Sequence, residues 1–385
     1  CNYQDGVLAV QLGQALDNID EVRTILTEIG GRQLDEHWSP VQILDEQNSL
    51  RTLKYAGWDA KTRQVAWRNA AGETGSVGLD EGRVKLDWRL DWPARWAKWG
   101  VAVEPFGRDH ATKGGSYDTG VALVERVFGG RPPLPVPYEF INAAGQTKKI
   151  SKSSGDSLTP SDVLQVMPPE VLRYFVIHPR PGRTLTFDTG IGLYQLMEEF
   201  TAALEQPTSL ALEYARAVSG AGEVVARVPF AHLVAVYQAA RGDAEQVRVL
   251  LERTDYEEVA AQQWPVIERE LKFVANWLEK YAPDNVKFEV QDTLPKVELS
   301  PGQKTFLAKL AKVVADEKDL NGQGMHDAVY ASTEAAGIKA ADGFRAVYRA
   351  LLGKDFGPKA GWFLASLERD WLVKRLQDAA GRAGN

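Results

Sequence analysis

The sequence predicts an α/β region followed by an all-α region. Short apolar runs between glycines and prolines fill residues 38–150. From Ser161 onward apolar side chains recur at helical spacing, and no internal repeat or low-complexity segment breaks either pattern.

In chain order, Leu12, Leu16, Ile19, Val22, Ile25, Leu26 and Ile29 lie on one helical stripe over 12–29, with Gly30-Gly31 as its stop. Residues 38–87 then carry the runs Leu50–Tyr55, Arg63–Trp67 and Arg83–Leu86, separated by glycines 57, 72, 75, 78 and 82. This predicts a small insert of β-hairpins. The proline-rich stretch 131–137 forces extended backbone ahead of a strand at Tyr138–Ile141. Gly114-Gly115-Ser116 opens a helix over 117–128, whose exposed N–H groups can hold an anion. Further on, stripes at Val266–Tyr281, at Lys304–Lys318, at Phe344–Leu351 closed by Gly353, and from Trp362 to Leu372 predict the core of a helical bundle.

Composition narrows the class. The 385 residues suffice for two or three domains, and 44% hydrophobic with 25% charged residues is ordinary for a globular chain. No apolar run is long enough to span a bilayer and no signal segment opens the chain, so a cytoplasmic location is expected. The single cysteine, Cys1, excludes an internal disulfide framework and a cysteine zinc cluster. A net charge of −7 argues against non-specific coating of nucleic acid, but it leaves room for a local basic face.

The most informative stretch is Lys149-Ile-Ser151-Lys152-Ser153, followed by Ser154-Gly155. Two lysines three apart, with hydroxyls beside them, make a cationic loop suited to the charge of a leaving pyrophosphate. The stretch resembles the KMSKS signature of class I aminoacyl-tRNA synthetases. Upstream lie Leu86-Asp-Trp-Arg-Leu-Asp-Trp-Pro-Ala-Arg-Trp96, Val103-Glu-Pro-Phe-Gly-Arg-Asp-His110 and Gly114-Gly-Ser-Tyr-Asp118. Downstream lie Leu158–Leu164, Pro168–Arg173 and Phe187–Gly190, with Tyr348–Gly353 near the end. Together these segments resemble the archaeal-type class I lysyl-tRNA synthetases over nearly the whole chain.

The resemblance implies a class I Rossmann-type catalytic domain, incomplete at its N-terminus, with a small β insert, followed by an α-helical anticodon-binding bundle. The expected division is 1–37 and 88–195 for the catalytic part, 38–87 for the insert and 196–385 for the bundle. It implies lysine, ATP with Mg2+, and tRNALys as partners; the oligomeric state stays open. Lys149, Ser151, Lys152 and Ser153 are the implied catalytic loop, with Lys152 making the main contact.

Trp88 would wall the aliphatic stem of lysine and face its ammonium. Gly107, Asp109 and His110 would form a substrate-touching turn at a strand's carboxyl end. Gly115, Ser116 and Tyr138 complete the implied substrate set. Asp91 has two readings, a partner for a substrate amine or an ion pair with Arg95. Trp92, Trp96 and Trp99 read as core. Arg173, Arg180 and Arg183 are implied tRNA contacts, and Arg345, Arg349 and Lys354 are further candidates.

Three departures from the family pattern stand out. The zinc knuckles are gone, with Ile43–Asn48 and Asn69–Gly72 in their places, so no bound zinc is expected and Trp38, Trp58 and Trp67 must pack the insert. Ser154 stands where relatives often carry lysine. The family's HIGH-like motif has no counterpart, which suggests the C-terminal portion of a longer protein with little adenylate formation of its own. Two other readings stay open: a non-catalytic tRNA-binding relative, and a glutamyl-type class I synthetase.

Overall fold

The computed structural model describes residues 2–144, 158–206, 209–217 and 225–381. Its contacts divide the chain into two units, Cys1–Phe140 with Pro181–Thr184, and Ile141–Arg180 with Leu185–Asn385.

The first unit begins with α1 (Ala9–Asp17) and α2 (Ile19–Thr24), which runs into a π-turn over Ile25–Ile29. The single helix expected over 12–29 is thus broken at Asn18. Its backbone leaves the helical region, and its side chain donates to the Gln14 carbonyl at 2.8 Å. The apolar stripe survives the break, since Leu12, Leu16, Val22, Ile25 and Leu26 are all buried.

The insert is a five-stranded antiparallel sheet built from β1 (Val41–Ile43), β2 (Leu53–Asp59), β3 (Gln64–Asn69), β4 (Thr74–Gly78) and β5 (Val84–Leu86), in the order β4-β3-β2-β1-β5. Its turns follow from local chemistry. Asp59 Oδ1 accepts from the Lys61 amide at 2.9 Å, and Arg63 takes φ 55° to close the β2–β3 hairpin. Gly72, at φ 87°, closes β3–β4. No larger residue fits at Gly75, because a Cβ there would sit 2.5 Å from the Trp67 ring. Trp38, Trp58 and Trp67 pack against the unit's core as expected, and Trp58 Nε1 donates to Asp17 Oδ1 at 2.7 Å, pinning sheet to helix.

Next come α3 (Trp88–Trp99), β6 (Val103–Gly107), α4 (Ser116–Arg126) and β7 (Leu134–Tyr138). Strands β6 and β7 pair in parallel, with Val103 opposite Leu134 and Gly107 opposite Tyr138, so α4 is the crossover of a β-α-β unit. Here the proline run departs from expectation, since it is itself strand β7 and ends at Tyr138. Pro135 and Pro137 alternate with residues that keep their N–H, and Leu134 donates to the Ala102 carbonyl at 2.8 Å. An edge strand tolerates the missing donors.

In the second unit, β8 (Ile141–Ala143) pairs in parallel with β9 (Leu185–Phe187). Helices α5 (Pro160–Val163), α6 (Pro169–Ile177), α7 (Ile191–Leu204), α8 (Leu210–Arg216), α9 (Phe230–Ala239), α10 (Ala244–Leu251) and α11 (Glu257–Lys280) surround one core centred on Met197, Phe200, Phe230 and Trp277. A second core, around Phe306, Leu310, Val347 and Phe363, is enclosed by α12 (Pro301–Asp316), α13 (Gly322–Ala336), α14 (Ala340–Leu352), α15 (Ala360–Ser366) and α16 (Arg369–Ala379). The last stripe of the sequence splits over α15 and α16 because the Glu368 carboxylate accepts from the Asp370 and Trp371 amides and starts a new helix. No helix among the described residues is long and apolar enough to cross a membrane.

Candidate active site at the end of the parallel strand pair

Asp87 accepts from the Arg89 amide at 3.2 Å and so starts α3 at Trp88. Gly100, at φ 59°, stops it. Between these caps the four tryptophans separate by burial. Trp96 is buried, with Nε1 donating to Glu104 Oε2 at 2.7 Å and its ring 2.8 Å from where a Cβ on Gly120 would lie. Trp99 is half exposed with Arg95 over its ring, so the core reading fails for it. Trp92 bridges two roles. Its ring lies 4.6 Å from that of Trp96 and 5.7 Å from that of His110. Trp88, 52% exposed, lies with its ring 6.1 Å from that of the same histidine.

The turn Gly107-Arg-Asp-His110 leaves the carboxyl end of β6 as one 3-10 turn. A Cβ on Gly107 would lie 2.8 Å from Asp109 Oδ1, so glycine lets that carboxylate fold back over the strand end. His110 Nδ1 lies 3.3 Å from Ser116 Oγ, at the first residue of α4, and its Nε2 lies 3.9 Å from Asp109. Tyr138, half exposed, stands opposite Gly107 at the end of β7. Six sequence-predicted residues therefore meet at one edge: Trp88, Gly107, Asp109, His110, Ser116 and Tyr138. Gly115 joins them as the N-cap of α4, where a Cβ would lie 2.6 Å from the Thr112 carbonyl. The neighbouring Gly114 amide is not open to an anion, since it donates to Asp118 Oδ2 at 2.8 Å.

Of the two readings for Asp91, the structure realises the ion pair. Its carboxylate takes Arg95 Nε at 2.7 Å and Nη2 at 3.1 Å, and also accepts from the Tyr3 hydroxyl. Burial, then the bond to Asp91, pushes the Tyr3 phenol far up, and the same carboxylate raises Arg95. Tyr3 had no signal in sequence, because nothing local links it to a residue 88 positions away. The Phe106–Tyr117 stack at 5.0 Å, which backs Trp92 and Trp96, was equally hidden.

Several basic residues expected on tRNA are held within the second unit. Arg173 donates to the Tyr214 and Ala215 carbonyls, tying α6 to α8. Arg349 pairs with Asp355 at 2.5 Å, Arg345 with Asp342 at 3.1 Å, and Lys354 Nζ donates to the Lys287 carbonyl at 2.6 Å. Arg180 and Arg183 are exposed. Lys149, Ser151, Lys152 and Ser153 lie outside the described residues.

Comparison with known proteins agrees with this architecture. Residues 1–218 match the family of tRNA synthetases class I (K), and residues 244–380 match an anticodon binding domain. A lysine–tRNA ligase from Archaeoglobus fulgidus is 38% identical over 98% of this chain and 74% of its own. Lysine–tRNA ligase 1 of Methanosarcina acetivorans is 36% identical over 98% of this chain and 75% of its own, and the Thermococcus kodakarensis lysine–tRNA ligase is 32% identical over 97% and 75%. Fold and matches together define a class I aminoacyl-tRNA synthetase. Within that class the chain belongs to the archaeal-type lysine–tRNA ligase family, which favours the lysyl over the glutamyl reading.

Proposed function

We propose that this chain binds and activates lysine with ATP and Mg2+, then transfers it to tRNALys in the cytoplasm. In the first step a lysine carboxylate oxygen bonds to the α-phosphorus of ATP, and the bond to the bridging oxygen breaks to release pyrophosphate. In the second a terminal ribose hydroxyl of tRNA bonds to the lysyl carbonyl carbon, and AMP leaves. Neither step needs a covalent enzyme intermediate.

The cluster of Trp88, Trp92, His110 and Ser116 at the carboxyl end of β6 carries the reading. Ligands of open α/β folds sit at such edges. The exposed face of Trp88 suits the apolar stem and ammonium of lysine. Ser116 holds the ring of His110, and Asp109 and Tyr138 supply polar groups around it. With its carboxylate paired to Arg95, Asp91 fixes α3 and so the position of Trp88. Lys149 and Lys152 meet the charge that grows on the departing pyrophosphate, with Ser151 and Ser153 shaping their loop. Among the described residues no three His, Cys, Asp or Glu side chains cluster to hold a resident ion, so Mg2+ would enter on the phosphates of ATP.

Lysine-dependent ATP–pyrophosphate exchange by the full gene product tests this. Exchange is expected with lysine and not with glutamate, and Lys152→Ala should lower its rate by roughly a hundredfold or more, the usual effect of removing a fixed transition-state charge contact. Absence of lysine-dependent exchange, with tRNA binding retained, would replace the ligase reading with that of a tRNA-binding module.

A further inference from the structure

Strand β5 lies at one edge of the insert sheet, with β1 on one side of it, so amides on its other side need partners from outside the sheet. The Leu86 amide finds one in the Tyr3 hydroxyl at 3.3 Å, and that hydroxyl donates onward to Asp91 Oδ1. One phenol thus ties the last residue of β5 to the first turn of α3. Between the two tied positions lie Asp87, Trp88, Arg89 and Leu90. Arg95 completes the brace from within α3, through Nε and Nη2 on the same carboxylate.

Tyr3 is itself firmly seated. Its ring is buried in the core of the first unit. The turn that carries it is closed by the Gly6 amide on the Tyr3 carbonyl at 3.1 Å and by the Val7 amide on the Asn2 carbonyl at 2.9 Å. A Cβ on Gly82 would lie 2.6 Å from Gln4 Cα, so the connection from β4 to β5 backs directly onto this turn. Burial, then the bond to Asp91, keeps the proton on the phenol at neutral pH, so the hydroxyl stays a donor.

Trp88 is held on different terms. Half of it faces solvent, so the place of its ring follows from the backbone that carries it. Whatever fixes the turn from Leu86 to Asp91 therefore fixes the ring beside His110.

We propose that Tyr3 is a positioning residue of the lysine site: through Leu86 and Asp91 it sets the β5–α3 turn and with it the wall that Trp88 presents to the substrate. The inference rests on the lysine–tRNA ligase reading, and it brings into the site a hydroxyl that touches no substrate.

The test compares Tyr3→Phe with the unaltered protein, each as the full gene product. Phenylalanine keeps the buried ring and removes the hydroxyl alone. Lysine binding is read by calorimetry, and lysine-dependent ATP–pyrophosphate exchange gives KM and kcat. Lysine should bind about fivefold more weakly, the effect of one hydrogen bond, with a matching rise in KM. The kcat should stay within about twofold, because the wall meets ground state and transition state alike. Hydrogen exchange of the amides over 86–91 should quicken. In a Trp88→Ala background the same substitution should move lysine binding by less than about twofold, since the ring that it positions is gone. Should Tyr3→Phe fail to fold, Asp91→Ala opens the brace from its other end and should give the same shift, again dependent on Trp88. Unchanged lysine binding in Tyr3→Phe overturns the proposal, as does a shift that persists in full without Trp88, which would mark a purely structural role. Absence of exchange in the unaltered protein is the failure of the ligase reading, and the ratio of lysine affinities then still decides the role of Tyr3. No lysine binding by the unaltered protein overturns both.

Discussion

The edge around His110 in the first unit and a cavity around His232 in the second unit are built from similar parts on opposite terms. Each sets an imidazole among aromatic rings with a carboxylate near by, Asp109 in one and Glu198 in the other. At the edge Ser116 meets the ring, and half-exposed Trp88 leaves one side open. In the cavity the ring is buried with one nitrogen unpaired, and only burial acts on its charge. The difference shows how support is divided: the open site depends on a buried layer behind it, while the closed site is its own core.

The largest expected effect tests that buried layer. Trp96→Ala removes a buried ring and its bond to Glu104, and should cost about 3–5 kcal/mol in urea unfolding. Trp88→Ala, on the same helix but half exposed, should stay within about 0.5 kcal/mol while raising the KM for lysine. Equal stability losses in the two variants would mean that exposure does not divide core from site along α3.

That division was only partly legible in the sequence. The sequence set Trp88 apart and read Trp92, Trp96 and Trp99 alike as core, but it cannot tell which ring meets Glu104 and Gly120, because those partners arrive from β6 and α4. The β insert was legible, since its glycines stand where little else fits, at the turn of Gly72 and beside the Trp67 ring at Gly75. Strand β7 was not, because prolines 135 and 137 argue against a strand unless it lies at an edge. The structure brings the Gly-Arg-Asp-His turn and Ser116 together, since short motifs close in sequence fix their own local geometry. Arg173, Arg349 and Lys354 read as free cations because their carbonyl and carboxylate partners lie on other turns and helices, whereas Arg345 meets Asp342 three residues back on its own helix. The unpaired nitrogen of His232 had no signal at all, being a product of tertiary packing.

A second effect, of about 2 kcal/mol between pH 7 and pH 5, tests the closed site. The unfolded chain takes up a proton on His232 near its ordinary 6.5, but the folded chain does so only near 4. With the folded pKa depressed, the contribution of the neutral ring to stability is present above 6.5 and is lost as pH falls toward 4. His232→Phe should therefore flatten the acid limb of a stability–pH curve measured by denaturation. An unchanged slope would show that the imidazole is not held neutral, and the contrast with the edge would fail on its closed side.

The smallest effect probes the open side. Ser116→Ala removes the hydroxyl 3.3 Å from His110 Nδ1 and leaves α4 intact, because the N-cap is Gly115 and the Ser116 side chain makes no capping bond. One such hydrogen bond is worth about 1 kcal/mol, or roughly a fivefold loss in kcat/KM for lysine activation. If Ser116 orients the ring, the loss should appear mainly in kcat, and Ser116→Thr, which keeps the hydroxyl, should restore much of it. Should both variants weaken stability and spare the kinetics, Ser116 would belong to the packing of α4, and His110 would be held by its two tryptophans alone.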